Sequence, residues 1–208
     1  YSDVDLLILE EPNTFREGEL GEFLMALWDR GFRVSQSVHP VADCKRLTPG
    51  NIEFNVSLLD RRFLMGQEKL YAACDEVCRR PPGEFKKALA ELIHGRHEKF
   101  QLSIQHLEPD VKEGPGGLRD WQAIGWMRKL GVEAEVDCGD CFQTLATIRW
   151  GLHERAKRDV NLLRFEEQDA LSEGYAGGPA EWMREYYRAA KAVFGTCREL
   201  VDRVLDQK

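Results

Sequence analysis

Two aspartates, Asp3 and Asp5, stand one residue apart at the head of the apolar run Leu6-Leu7-Ile8-Leu9. Residues i and i+2 of a strand share a face, so both carboxylates can reach one cation. A hard divalent ion such as magnesium takes oxygen ligands and commonly sits between one or two carboxylates and the phosphates of a nucleotide. The pair therefore points to metal-assisted phosphoryl or nucleotidyl transfer. The same tripeptide also serves ordinary turn chemistry at the mouth of a strand.

A second candidate lies at residues 108–120, Glu108-Pro109-Asp110-Val111-Lys112-Glu113-Gly114-Pro115-Gly116-Gly117-Leu118-Arg119-Asp120. Three glycines and two prolines make a preshaped turn, and Gly116-Gly117 bring bare amides to the start of a following helix. Such a helix start can hold an anion, with charge added by Lys112 and Arg119. The plainer reading is an interhelical loop whose Asp120 caps the next helix. The spacing is neither that of a Walker loop nor that of a Rossmann fingerprint.

The elements that must position these residues follow from periodicity. Before Pro81-Pro82-Gly83, strand-like runs at residues 4–9, 32–38 and 54–59 alternate with an amphipathic stretch at 15–30, and a helix at 66–79 closes this part. After it the pattern is helical at 84–100, 121–130, 141–157 and 180–205. In the last of these Met183, Tyr186, Ala190, Val193, Cys197, Leu200 and Val204 form a core stripe. The expected fold is α+β: a small sheet-bearing unit over residues 1–82, then an all-α bundle over 83–208.

With 208 residues, 43% of them hydrophobic and 31% charged, the chain has the composition of a soluble globular protein and can bury a substantial core. No run approaches the roughly 20 apolar residues of a membrane span. A net charge of -7 gives no general field for nucleic acid, so a polynucleotide substrate is disfavoured. Six cysteines suit a reducing, cytoplasmic setting, and Cys138-Gly139-Asp140-Cys141 and Cys74 with Cys78 are expected to be free thiols rather than zinc ligands. Arg149, Arg155, Lys157, Arg158 and Arg164 either line a nucleotide cleft or form a solvated face balanced by Glu154, Asp159 and Glu166.

The run from His106 to Asp120 closely resembles the signature of the bacterial PII-protein uridylyltransferase/uridylyl-removing enzymes. More distantly it is similar to a Lys-x-Gly-x-Gly-Gly-Ile-Arg stretch of glutamine synthetase adenylyltransferases. Tyr1-Ser2-Asp3-Val4-Asp5-Leu6-Leu7-Ile8 resembles the metal-binding strand of the same family. Further likenesses are Leu27-Trp28-Asp29-Arg30-Gly31-Phe32-Arg33-Val34, Leu58-Leu59-Asp60-Arg61-Arg62-Phe63-Leu64-Met65-Gly66 and Arg96-His97-Glu98-Lys99-Phe100.

The resemblance implies a DNA polymerase β-like nucleotidyltransferase subdomain with a small mixed sheet, followed by an associated helical bundle. It implies two magnesium ions, UTP as substrate, and the PII signalling protein as the partner whose tyrosine receives UMP as pyrophosphate leaves. Asp3 and Asp5 match the paired metal ligands. A third carboxylate from a neighbouring strand is assigned to Asp60, with Glu53 as the fallback. Lys112, Gly114, Gly116, Gly117 and Arg119 would serve the triphosphate side. The family's Gly-Gly-x-Gly-Arg-x-Glu-Leu segment, which precedes the aspartate strand, is absent ahead of Tyr1, and neither its phosphohydrolase nor its ligand-sensing domains follow Lys208. The chain is therefore expected to be an N-terminally truncated catalytic region without full activity by itself. A related adenylyltransferase or a non-catalytic regulatory module are the alternatives.

Overall fold

Strand β1 spans Val4–Glu10 and pairs in parallel with β2, Val34–Pro40, in a register that sets Asp5 opposite Ser35 and Ile8 opposite Val38. A parallel pair needs a crossover, and helix α1, Glu17–Trp28, supplies it. Gly31, at φ +81, turns the chain after α1 back towards β2. The computed structural model describes residues 3–11, 17–45, 49–79, 83–134 and 138–206. Tyr1, Ser2, Phe15, Pro81 and Pro82, which carried parts of the sequence reading, lie outside them.

Two short 3₁₀ turns, Asp43–Lys45 and Pro49–Asn51, lead into helix α2, Ile52–Asp60, and then α3, Glu68–Arg79. Residues 54–59 were expected as a third strand and are helical. The burial explains the difference: Asn55, Leu58 and Leu59 are buried, a spacing of three and four that matches a helix face, and Asn55 donates back to the Asn51 carbonyl at 2.8 Å. Among the described residues the sheet has two strands, both parallel. Arg61 ties this first unit together. It pairs with Asp75 of α3 at 3.0 Å, donates to the Leu58 carbonyl and lies 5.0 Å from the centre of the Tyr71 ring.

The chain divides into Tyr1–Phe85 and Lys86–Lys208. The second unit is helical: most of α4 (Gly83–Lys99), then α5 (Leu118–Lys129), α6 (Cys141–Ala156), α7 (Phe165–Leu171) and α8 (Gly178–Leu205). Helix α8 packs against α5, α6 and α7. Its expected stripe is buried at Met183, Tyr186, Ala190, Val193, Cys197 and Leu200. Each large apolar side chain in such a stripe contributes about 1.5–3 kcal/mol by leaving water. Among the described residues no helix is long and apolar enough to cross a membrane.

Candidate functional site

Asp3 and Asp5 are both exposed, at the head of β1. The Arg33 Nε lies 3.0 Å from the Asp3 carboxylate, and both side chains are more than half exposed. Such a pair is worth at most about 1 kcal/mol, so a competing divalent ion can displace the guanidinium. Strand β2 carries no carboxylate. Asp60 and Glu53 are exposed residues of helix α2, at its last and second positions, so neither stands on a neighbouring strand.

The glycine-rich loop belongs to the helical unit and is largely buried. Gly114, Pro115, Gly116 and Gly117 are all covered, while Lys112 and Arg119 are partly exposed. Asp110 nucleates it, accepting from the Lys112 and Glu113 amides at 2.9 and 2.7 Å. The two amides expected to be bare are used inside the protein: Gly116 donates to the Asp120 carboxylate at 2.7 Å and Gly117 to the Gly114 carbonyl at 2.9 Å. The next two follow suit, Leu118 to Val111 at 3.0 Å and Arg119 to Lys112 at 2.8 Å. Arg119 forks onto Glu113 and also reaches Gln122.

The glycines answer to close packing. Gly116 sits at φ +78, and a Cβ there would come within 2.2 Å of the Ala190 carbonyl oxygen on α8. A Cβ on Gly117 would meet three carbonyl oxygens, those of Val111, Gly114 and Lys112, at 2.8–2.9 Å. No side chain fits where backbone comes so near.

Behind the loop is a group of residues whose association the sequence did not disclose. Asp120 is fully buried. Its Oδ1 takes the His97 Nε2 at 2.7 Å and the Arg96 guanidinium, and its Oδ2 accepts from the Gly116 amide at 2.7 Å. Arg96 also donates to the Glu113 carbonyl at 3.0 Å. Burial pushes the Asp120 carboxyl up, but the His97 hydrogen bond, the Arg96 and His97 charges and the Gly116 amide outweigh it and hold the group below the usual carboxylate range. Cys197 on α8 completes the group, with its ligand atom and those of His97 and Asp120 within 4.8 Å of one another. The spacing would suit a metal, but Arg96 already supplies the positive charge. Asp120 was expected to cap the next helix, but α5 starts at Leu118 with Gly117 as its N-cap and no side-chain cap bond. As the third residue of that helix, Asp120 clamps α4 to the loop and lies beside Cys197 of α8. Arg96-His97 and Asp120 were both visible as motif residues, but a link across 23 or 24 positions has no local signature.

Three residues of the basic stretch, Arg149, Arg155 and Lys157, are paired. Arg149 donates to the Asn161 side chain at 2.8 Å and meets Asp159 at 3.3 Å, Arg155 meets Glu167 at 2.8 Å, and Lys157 meets Glu154 at 3.4 Å. His153 is buried 3.0 Å from Asp159, and its pKa is lowered by burial and by the Arg149 charge. The segment also braces the loop, because Val111 donates to the Asn161 carbonyl at 2.8 Å and Leu163 to the Pro109 carbonyl at 2.9 Å.

Residues 84–138, which include this loop, match the family model described as GlnD PII-uridylyltransferase. Similarity to individual proteins runs further. A bifunctional uridylyltransferase/uridylyl-removing enzyme of Nitrosococcus oceani is 32% identical over 100% of this chain and 26% of its own length. A protein of the same description from Xanthomonas campestris pv. campestris is 34% identical over 99% of this chain and 26% of its own length. One from Cupriavidus pinatubonensis is 35% identical over 93% and 25%. The chain spans about a quarter of the length of these relatives. No solved structure matches it.

Proposed function

Because the chain belongs to the PII-uridylyltransferase family, as a segment about a quarter as long as its full-length relatives, we propose that it contributes the nucleotidyl-transfer region of such an enzyme. The reaction is transfer of UMP from UTP to a tyrosine hydroxyl of PII, with release of pyrophosphate. The observation that carries this reading is the exposed pair Asp3 and Asp5 at the head of β1.

Two exposed carboxylates at i and i+2 are hard oxygen donors with room left for phosphate oxygens, which suits magnesium. Bound there, magnesium would supply positive charge where the transferring phosphoryl group gains negative charge. Asp3 would exchange its contact with Arg33 for the ion. Asp60 is the proposed third carboxylate, with Glu53 on the same helix as its alternative. Lys112 and Arg119 are the proposed cationic side chains of the triphosphate side, held by the buried backbone of Gly114, Gly116 and Gly117.

The test uses the full-length parent protein, PII, magnesium and labelled UTP or ATP. Asp3→Asn and Asp5→Asn should each lower label transfer from UTP by at least about 100-fold, the scale of a lost electrostatic contact to the transition state. Their melting temperatures should stay near that of the unsubstituted protein. Equal loss of activity and stability would give the carboxylates a structural role. Transfer from ATP alone would place the protein with the adenylyltransferases.

A further inference from the structure

We propose that Cys138 and Cys141 form a dithiol–disulfide couple that exchanges with low-molecular-weight disulfides. The Cys141 amide donates to the Cys138 carbonyl at 3.2 Å, and Gly139 between them adopts φ +49. A turn closed in this way keeps its end Cα atoms within about 7 Å, close to the span of roughly 4.4–6.8 Å that a disulfide bridges. The two thiols are unlike in access. Cys138 is 6% exposed, whereas Cys141 is partly exposed as the first residue of the 16-residue α6. Cys141 opens α6 directly after the N-cap Asp140, which sets its thiol at the accessible end of the helix.

The accessible thiol attacks and the buried one resolves. The Cys141 thiolate attacks one sulfur of a disulfide R–S–S–R, whose S–S bond breaks to form a Cys141–S–S–R bond and release R–S⁻. The Cys138 thiolate then attacks the Cys141 sulfur and expels the second R–S⁻. The protein loses two electrons and two protons, and the small disulfide is reduced to two thiols.

The 208-residue chain is incubated at graded ratios of oxidised to reduced glutathione, acid-quenched, alkylated and peptide-mapped. The peptide bearing Cys138 and Cys141 should lose two hydrogens and resist alkylation, at a ratio at least tenfold lower than the urea-unfolded chain requires. Cys197, 1% exposed, should remain reduced. Cys138→Ser should trap a stable glutathione adduct on Cys141. Cys141→Ser, a change near the surface, should abolish the bridge without moving the melting temperature. A bridge that forms no more readily in the folded chain than in the unfolded one would overturn the proposal, as would oxidation of Cys44 and Cys74 while Cys138 and Cys141 stay reduced.

Discussion

Replacing Asp120 by Asn keeps the volume and an acceptor for the Gly116 amide, but leaves the Arg96 guanidinium facing a neutral group. Arg96 is largely buried, with a side chain 15% exposed, and Asp120 is fully so. Removing one partner of a buried ion pair costs about 3–5 kcal/mol, and the retained amide bond puts this case near about 3 kcal/mol. At about 3–4 °C per kcal/mol for a unit of this size, the melting temperature should fall by about 10 °C. The pH dependence gives a second, independent signature. A carboxylate held below its unfolded pKa of about 3.9 contributes stability above that value and loses it as the pH falls through the folded one. The gap between wild type and Asp120→Asn should therefore be full near about pH 7 and narrow below about pH 4. Circular dichroism melts at a series of pH values measure both. A shift under about 3 °C at neutral pH, or a gap of equal size near about pH 3, would refute the clamp.

Gly116→Ala should cost about 2–4 kcal/mol, since it adds strain at positive φ to a clash with the Ala190 carbonyl, and urea denaturation reports the loss directly. Arg61→Lys should destabilise the first unit by about 1–2 kcal/mol, because an ammonium cannot hold Asp75, the Leu58 carbonyl and the Tyr71 face at once. Amide exchange in residues 52–79 should rise in that variant and stay unchanged in the helical unit. Reversing the charge of Arg155 should release Glu167 and lower stability by at most about 1 kcal/mol, with no change in UTP use if the stretch is a solvated face.

The helical part was readable because its signals are local. The α8 stripe repeats every three or four residues from Met183 to Val204 of a 28-residue helix, and Pro179 marks the start of that helix. Strand β1 announced itself by an unbroken apolar run, and β2 was legible with its ends displaced by two residues. Residues 54–59 misled because six residues contain fewer than two helical turns, so an apolar run of that length fits either period. The short α7 passed unnoticed for the same reason. Asp3 and Asp5 were recognisable as a pair because their relation is one of adjacent positions. The clamp around Asp120 was not, because it depends on which faces of α4 and α8 meet the loop.

Helix α8 is also the last of these elements to be synthesised. Gly116 packs on its Ala190, Asp120 meets its Cys197, and the Tyr187 hydroxyl donates to the His106 carbonyl at 2.7 Å. A nascent chain that has emerged only through α7 therefore holds a glycine-rich loop with nothing to close on and an incomplete acid-base knot. At about 5–20 residues per second, the ribosome needs a further few seconds to deliver these 28 residues. During that interval the apolar faces of α5 and α6 are open to chaperones and proteases. Stalled chains ending before Gly178 should be cut within the loop by a protease that leaves chains extending past Leu205 intact.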